Sequence, residues 1–227
     1  MNKRIVVAVD GPAGSGKSTV SRTVACDLGM KYIDSGALYR SITWYALSRH
    51  EDLAVLDEAE FLAELEMITL SQTFLPDGTS RSFIDGKDIT DLIREERIAK
   101  NIGRISDRVA IRNRVNVFLH AWAARESVIM DGRDIGSVVF PDAELKFYLD
   151  ASVDVRAGRR VKEYMDRGKN VDEIAIKNQI MRRDQEDMDR PFGALKRSED
   201  AIYIDTSSMV FMDVVRRLES IIKEKYK

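Results

Sequence analysis

The chain has 227 residues, enough to bury a core without disulfide or metal support. Hydrophobic residues make up 44% and charged residues 33%, with only 13 Gly and 4 Pro, which excludes a disordered or collagen-like chain. With 36 Lys and Arg against 38 Asp and Glu the formal net charge is −2, so a global basic field for duplex nucleic acid is absent, and a single cysteine, Cys26, excludes an intrachain disulfide or a Cys-rich zinc site.

Strand-length apolar runs alternate with helical patterns along the chain. Ile5 to Val9 is β-branched and apolar on both faces, as in a buried parallel strand, and is too short for a signal sequence. A helix is predicted from about Lys17 to Leu28, with Val20, Val24 and Leu28 on one face, Cys26 packed in the core and Gly29 as C-cap. Lys31 to Ile33 reads as a short strand, followed by a helix from Ser35 to about His50 and another carrying Phe61, Leu62 and Leu65. Turn signals at Pro76-Asp77-Gly78 and Asp85-Gly86 flank β-type runs at Ile68 to Leu75 and Ser82 to Ile84. They predict a small antiparallel insertion, then a helix from Thr90 to about Ile98 and one from Arg108 to Ala124.

The alternation then returns. Ser127 to Met130 and Leu145 to Leu149 read as strands. Ser152 caps a basic helix, Asp172 and Glu173 open another reaching Met188, and Ile202 to Ile204 is a last strand. The final helix presents Val214, Leu218, Ile221 and Ile222 as its apolar face. Strands alternating with helices predict a parallel α/β sheet. No run approaches a membrane-spanning length, so the expectation is a cytoplasmic protein without membrane or nucleic-acid partners.

Gly11-Pro12-Ala13-Gly14-Ser15-Gly16-Lys17-Ser18 satisfies G-x-x-x-x-G-K-[ST] between a buried strand and a helix. Such a loop turns successive N–H groups inward as an anion nest, and the helix N-terminus adds its dipole. Lys17 can reach the β- and γ-phosphates of a nucleoside triphosphate, and Ser18 can ligate Mg²⁺. The motif does not say what is done with the nucleotide.

Three further segments bear on that question. Asp34-Ser35-Gly36-Ala37-Leu38-Tyr39-Arg40 offers a hydroxyl, a ring and an Arg fork for a second anionic ligand, and serves equally as a capped helix start with a surface Arg. Asp131-Gly132-Arg133-Asp134 lies just past a predicted strand, where ligands of open α/β sheets bind: a carboxylate there can organise Mg²⁺ waters or the attacking oxygen and Arg133 can grip a phosphate, with an Asp-Gly turn held by an internal ion pair as the alternative. Arg183, Asp187 and Arg190 share one helix face, as a self-paired surface stripe also would. Arg156, Arg159 and Arg160 line a preceding helix as lid residues or a solvated face. Phosphoryl transfer to a phosphate acceptor brings two polyanions together, and arginines both neutralise that repulsion and exclude water on closing. His50 and His120 are too isolated to suggest a metal site. An N-K-x-D segment, by which a guanine-nucleotide switch reads its base, is absent.

The chain resembles the bacterial cytidylate kinases, P-loop nucleoside monophosphate kinases, from the first strand to the last. The matching segments are VDGPAGSGKST, YIDSGALYR, FIDGKDITDLIR, MDGRDIGSVVFPDAELKFYLDAS, RRDQEDMDR and DAIYIDTS. The resemblance implies a three-layer P-loop α/β fold: a five-stranded parallel sheet of order 2-3-1-4-5, a small antiparallel NMP-binding insertion (about 56–98) and a helical lid (about 156–197). The core would then be about 1–55, 99–155 and 198–227. It implies transfer of the ATP γ-phosphate to CMP or dCMP with Mg²⁺ in a monomer. UMP or AMP as acceptor and a P-loop nucleotide switch are the alternatives.

By the family's pattern Gly11, Pro12, Ala13, Gly14, Ser15, Gly16, Lys17, Ser18 and Thr19 bind ATP, with Ser18 on the metal. Arg156, Arg159 and Arg160 belong to the lid over ATP. Asp34, Ser35, Tyr39, Arg40, Arg112, Asp131, Arg133, Arg183, Asp187 and Arg190 face CMP, and Lys17, Arg133, Asp134 and Arg159 serve catalysis. The chain departs from the pattern at Gly103, where the family has a Ser that helps read cytosine, and at Leu119, where most members have Gln. It also lacks the family's Pro ahead of Arg112.

Overall fold

The β-branched first run forms β1 (Val6–Asp10), and its register places it centrally: parallel to β6 (Val128–Gly132) on one side and to β7 (Leu145–Asp150) on the other. Both faces of such a strand are covered, which is why Val6 to Val9 are all apolar and the last four residues, Asp10 included, are buried. With β2 (Lys31–Asp34) beside β6 and β8 (Ile202–Asp205) parallel to β7, the sheet has the order β2-β6-β1-β7-β8, the 2-3-1-4-5 arrangement expected. This computed structural model describes residues 4–75, 80–166 and 168–225. The described chain divides into two compact units. One comprises the chain up to Tyr32 and from Ser127 onward; the other is Ile33–Glu126.

In the first unit α1 (Lys17–Asp27) packs against β1, β6 and α8 (Phe211–Lys225). Val20 and Val24 are buried as predicted, whereas Cys26 is exposed. Two residues beyond Val24, Cys26 is turned about 200° round the helix, away from the core. On α8 Val214, Val215, Leu218 and Ile222 are buried, and Ile221 lies at the edge of that face. α6 (Val153–Asp166) and α7 (Glu173–Met188) pack on each other through Ala157, Val161, Ile176 and Ile180. Asp172 caps α7, its carboxylate accepting from the Ile174 N–H at 3.0 Å.

One feature of this unit had no sequence signal. After β6 the chain makes a π-type turn over Ile135–Val139. Its leading N–H groups, of Ile135 and Gly136, both donate to the Asp10 carboxylate, at 2.8 and 2.7 Å. A Cβ at Gly136 would stand 3.1 Å from Lys146 side-chain carbons and 3.3 Å from Asp10 Oδ2, so a side chain there would crowd both.

In the second unit α2 (Ser35–Arg49) packs on α4 (Glu96–Ser106) and α5 (Val109–Ala123), and α3 (Glu58–Met67) packs on α5. The antiparallel insertion is a three-stranded sheet of β3 (Leu70–Phe74), β4 (Ser80–Ile84) and β5 (Lys87–Asp88). The turn expected at Pro76-Asp77-Gly78 lies outside the described residues. At the second turn Asp85 and Gly86 both take positive φ, 50° and 77°, as the primed hairpin turns require. The helix expected from Thr90 to Ile98 does not form. A 3₁₀ turn (Leu92–Arg94) precedes α4 instead, because Thr90 is bound to the sheet: its N–H donates to Asp88 Oδ1, and its Oγ1 accepts from the Ser82 N–H. Among the described residues no helix is long and apolar enough to cross a membrane.

Candidate active site

Four of the five strands of the large sheet end on aspartate (Asp10, Asp34, Asp150, Asp205), and β6 carries Asp131 just before its last residue. The loop from Gly11 to Ser18 leaves this carboxyl edge, where open α/β sheets bind ligands. Gly11 passes so close to β7 that a Cβ would stand 2.0 Å from Leu149 O. Gly16 caps α1 at φ 87° and offers no side chain to the helix start, so the first-turn N–H groups have no side-chain cap. The Ser15 hydroxyl is buried and, among the described residues, has no hydrogen-bond partner. Lys17 is buried and donates to Pro12 O at 3.0 Å. Burial, reinforced by the Arg133 charge, brings its ammonium down to about 7. Burial also pushes the Asp10 carboxyl up to about 7, against the two backbone N–H groups that favour its ionised form.

At the start of α1, Ser18 Oγ donates to Asp131 Oδ2 at 2.6 Å, and Tyr32 donates to Asp131 Oδ1 at 2.5 Å. Asp131 is buried. A hydroxyl and one oriented carboxylate beside a phosphate loop are hard oxygen donors that suit Mg²⁺, which keeps several waters and takes its remaining ligands from substrate phosphates. Among the described residues no cluster of three or more His, Cys, Asp or Glu forms a protein-only metal cage.

The loop's other side is held by α6 and α7. Arg156 Nη1 donates to Ala13 O at 2.9 Å and meets Asp184 Oδ2 at 2.5 Å, while the Ala13 N–H donates to Asp184 Oδ1 at 3.2 Å. Arg159 Nη1 donates to Ser15 O at 3.2 Å and its Nη2 to Thr206 O at 2.7 Å. Burial lowers the Arg159 pKa. Arg160 is half exposed and pairs with Glu163 at 3.0 Å. The three arginines expected over ATP therefore differ in setting: Arg156 and Arg159 grip the loop's carbonyls, and Arg160 points along its own helix.

Beyond β6 a second cationic group forms. Arg133 Nε donates to Asp187 Oδ2 at 2.7 Å, Arg190 Nη2 to Asp187 Oδ1 at 2.9 Å, and Arg183 Nη2 lies 3.3 Å from the same oxygen. Asp187 is fully buried, which alone would raise its carboxyl, but Arg133, Arg183 and Arg190 outweigh burial and hold it below the usual carboxylate range. Asp134, one residue on, is also buried. Arg183 and Asp187 share a face of α7, but Arg190 does not continue the expected stripe: the helix ends at Met188, and Arg190 reaches back to Asp187 from beyond the C-cap, so that both arginines join the residue after β6 in one cluster.

In the second unit the predicted residues meet one another. Asp34 caps α2, accepting from the Ala37 N–H at 2.7 Å, and pairs with Arg40 at 3.3 Å. Ser35 is buried at the helix start. The Arg112 guanidinium stands 5.3 Å above the Tyr39 ring and donates to Ser106 O at 3.1 Å. Arg112 is among the largest fully buried side chains.

A family model described as cytidylate kinase matches residues 7–224, nearly the whole described chain. The chain belongs to the cytidylate kinase family. It is 38% identical to the cytidylate kinase of Bacillus licheniformis over 225 residues, covering 99% of each chain. It is 39% identical to that of a Geobacillus species, again over 99% of each. Among solved structures it resembles an uncharacterized protein from Eubacterium ventriosum, with a TM-score of 0.55 at 15% identity and coverage of 97% of this chain and 99% of that one, a likeness of fold.

Measured against the cytidylate kinase pattern, the departures are structurally mild. Gly103 lies within α4, and a Cβ there would meet only Asp107 Oδ2, at 3.4 Å. Leu119 is buried in α5, where the family's Gln would need a polar partner. Sequence reasoning missed Tyr32, which orients Asp131, and Gln72, whose amide grips Asp34 through its N–H and C=O at 3.1 and 2.8 Å. It also missed Asp184, Thr206 and Asp10. Tyr32 and Asp184 lie inside the segments that carry the family resemblance; Gln72 had no local signal.

Proposed function

We propose that this chain transfers the γ-phosphoryl group of ATP to the phosphate of CMP or dCMP, giving ADP and CDP or dCDP. The observation that carries the reading is the convergence of Arg133, Arg183 and Arg190 on one buried carboxylate, close enough that the Arg133 charge bears on Lys17 of the donor loop. Three guanidinium groups on one acid leave positive charge for an anionic acceptor, and its nearness to Lys17 suits transfer between two phosphates.

In the proposed mechanism an acceptor phosphate oxygen attacks the γ-phosphorus, the bond to the β,γ-bridging oxygen breaks, and the electron pair leaves with ADP. The acceptor supplies the nucleophile, so the absence of a Ser–His or Cys–His pair is no obstacle. The loop from Gly11 to Thr19 holds the donor, and Lys17 bears on the transferring group. Arg133 and Arg183 hold the acceptor phosphate, and Asp134, Asp187 and Arg190 order it and the ribose. By the family's pattern Ser35, Tyr39, Arg40 and Arg112 also face CMP. Ser18 and Asp131 would hold Mg²⁺, which when bound neutralises charge on the β- and γ-phosphates. α6 and α7 act as the lid over the donor side and exclude water, with Arg156 and Arg159 holding the donor loop's carbonyls. The proposal includes a cytoplasmic monomer.

The test is product identity. ATP labelled in the γ-phosphate, incubated with Mg²⁺, CMP and the protein, transfers the label to CDP. Label appearing only as inorganic phosphate would refute the reading.

A further inference from the structure

Ala13 is gripped at both ends of its backbone. Its N–H donates to Asp184 Oδ1 at 3.2 Å and its C=O accepts from Arg156 Nη1 at 2.9 Å. The two gripping side chains are themselves paired at 2.5 Å and both buried. Arg156 is fixed from a third side, its Nε donating to Ala151 O at 2.8 Å. The loop lies against this pair, since a Cβ on Gly14 would stand 3.3 Å from Arg156 Cβ. Two residues beyond Ala13, the Ser15 carbonyl is held by Arg159 at 3.2 Å.

This arrangement has a directional consequence. In a planar trans peptide the C=O and the next N–H point opposite ways. Cations that hold the carbonyls of Ala13 and Ser15 on one side therefore turn the N–H groups of Gly14 and Gly16 to the other, the side on which a nest takes its anion. A carbonyl polarised by a guanidinium also makes its own peptide N–H a stronger donor.

We propose that Asp184 is a positioning residue for the donor loop: by fixing Arg156 and the Ala13 N–H it presets the loop's backbone donors for the ATP phosphates. Asp184 acts through the backbone and touches no phosphate. The inference rests on the kinase reading for the identity of the anion. The competing account is a buried ion pair that merely joins α6 to α7. α7 itself supplies the discriminating control: Arg183 and Asp187 belong to the acceptor cluster, so a displaced α7 disturbs acceptor use as well.

The experiment uses the full chain with Asp184→Asn, which keeps the shape and loses the charge, and Arg156→Lys, which keeps the charge and loses the fork. Affinity for a non-hydrolysable ATP analogue with Mg²⁺ is titrated calorimetrically, KM for CMP is measured at saturating ATP, and thermal melting is followed alongside. The expected result is analogue binding roughly tenfold weaker in each variant, from loss of a charge-assisted hydrogen bond. KM for CMP stays within about twofold, and the double variant binds no more weakly than the weaker single one, because the two paired residues hold Ala13 as one unit. Where Asp184→Asn does not fold, Arg156→Lys decides by the same readings. Unchanged analogue affinity in folded variants overturns the proposal. So does a KM for CMP that rises in the same proportion as the analogue's dissociation constant, or loss of folding in both variants. Analogue binding is read without turnover, so failure of the unaltered chain to form CDP would count against the kinase reading alone.

Discussion

Arg133, on the turn after β6, donates its Nε–H to Asp187 of α7 at 2.7 Å, and this contact joins the sheet's carboxyl edge to the helix hairpin. Residues 54 positions apart in sequence thereby form one cationic cluster around a buried acid. If that cluster holds the acceptor phosphate, Arg133→Ala lowers kcat/KM for CMP by about a hundredfold or more, the cost of removing one or two charge-assisted hydrogen bonds. Affinity for an ATP analogue, read calorimetrically, stays within a few-fold. Unchanged CMP kinetics would place the acceptor elsewhere.

The same carboxylate governs acid stability. Asp187 titrates below the usual range in the folded chain because of its three arginines, whereas an unfolded Asp titrates at about 3.9. A depressed folded pKa contributes stability that is fully present above the unfolded value and is lost as pH falls through the folded one. Asp187→Asn is therefore expected to lose roughly 3 kcal/mol at pH 7. Its deficit in melting temperature holds down to about pH 4 and narrows below that. A gap independent of pH down to 3 would mean that the charge of Asp187 contributes no stability.

Mg²⁺ dependence follows from Ser18 and Asp131, 2.6 Å apart. Chelation with EDTA abolishes turnover. Ser18→Ala shifts the Mg²⁺ titration of the rate at least tenfold upward, while folding, followed by melting, is retained. An unchanged midpoint would remove Ser18 from the metal's ligands.

Gly103 tests base selectivity. The helix has room for a small side chain there, and serine in place of glycine also stabilises it by a few tenths of a kcal/mol. Gly103→Ser is expected to raise the ratio of kcat/KM for CMP over UMP several-fold, with melting unchanged or slightly raised. An unaltered ratio would show that this position does not read the base.

The periodicity of short buried strands made the large sheet legible, and G-x-x-x-x-G-K-S with its flanking elements placed the donor loop. α4 starts later than the sequence predicts because the N–H and hydroxyl of Thr90 are engaged with Asp88 and Ser82. Cys26 lies on the solvent side because it is about 200° round the helix from Val24, so the face marked by Val20 and Val24 already excludes it from the core. The π-type turn was invisible because it depends on Asp10, 125 residues away from Ile135. Arg156 and Arg159 were visible as a basic helix face, but their engagement with Ala13 and Ser15 depends on tertiary structure alone.

The central claim is tested most directly by initial rates of ADP release from ATP and Mg²⁺ with CMP, dCMP, UMP, AMP or no acceptor. The account predicts rapid release with CMP and dCMP, much slower release with UMP and AMP, and almost none without acceptor. ADP release that proceeds equally fast without any monophosphate would contradict it.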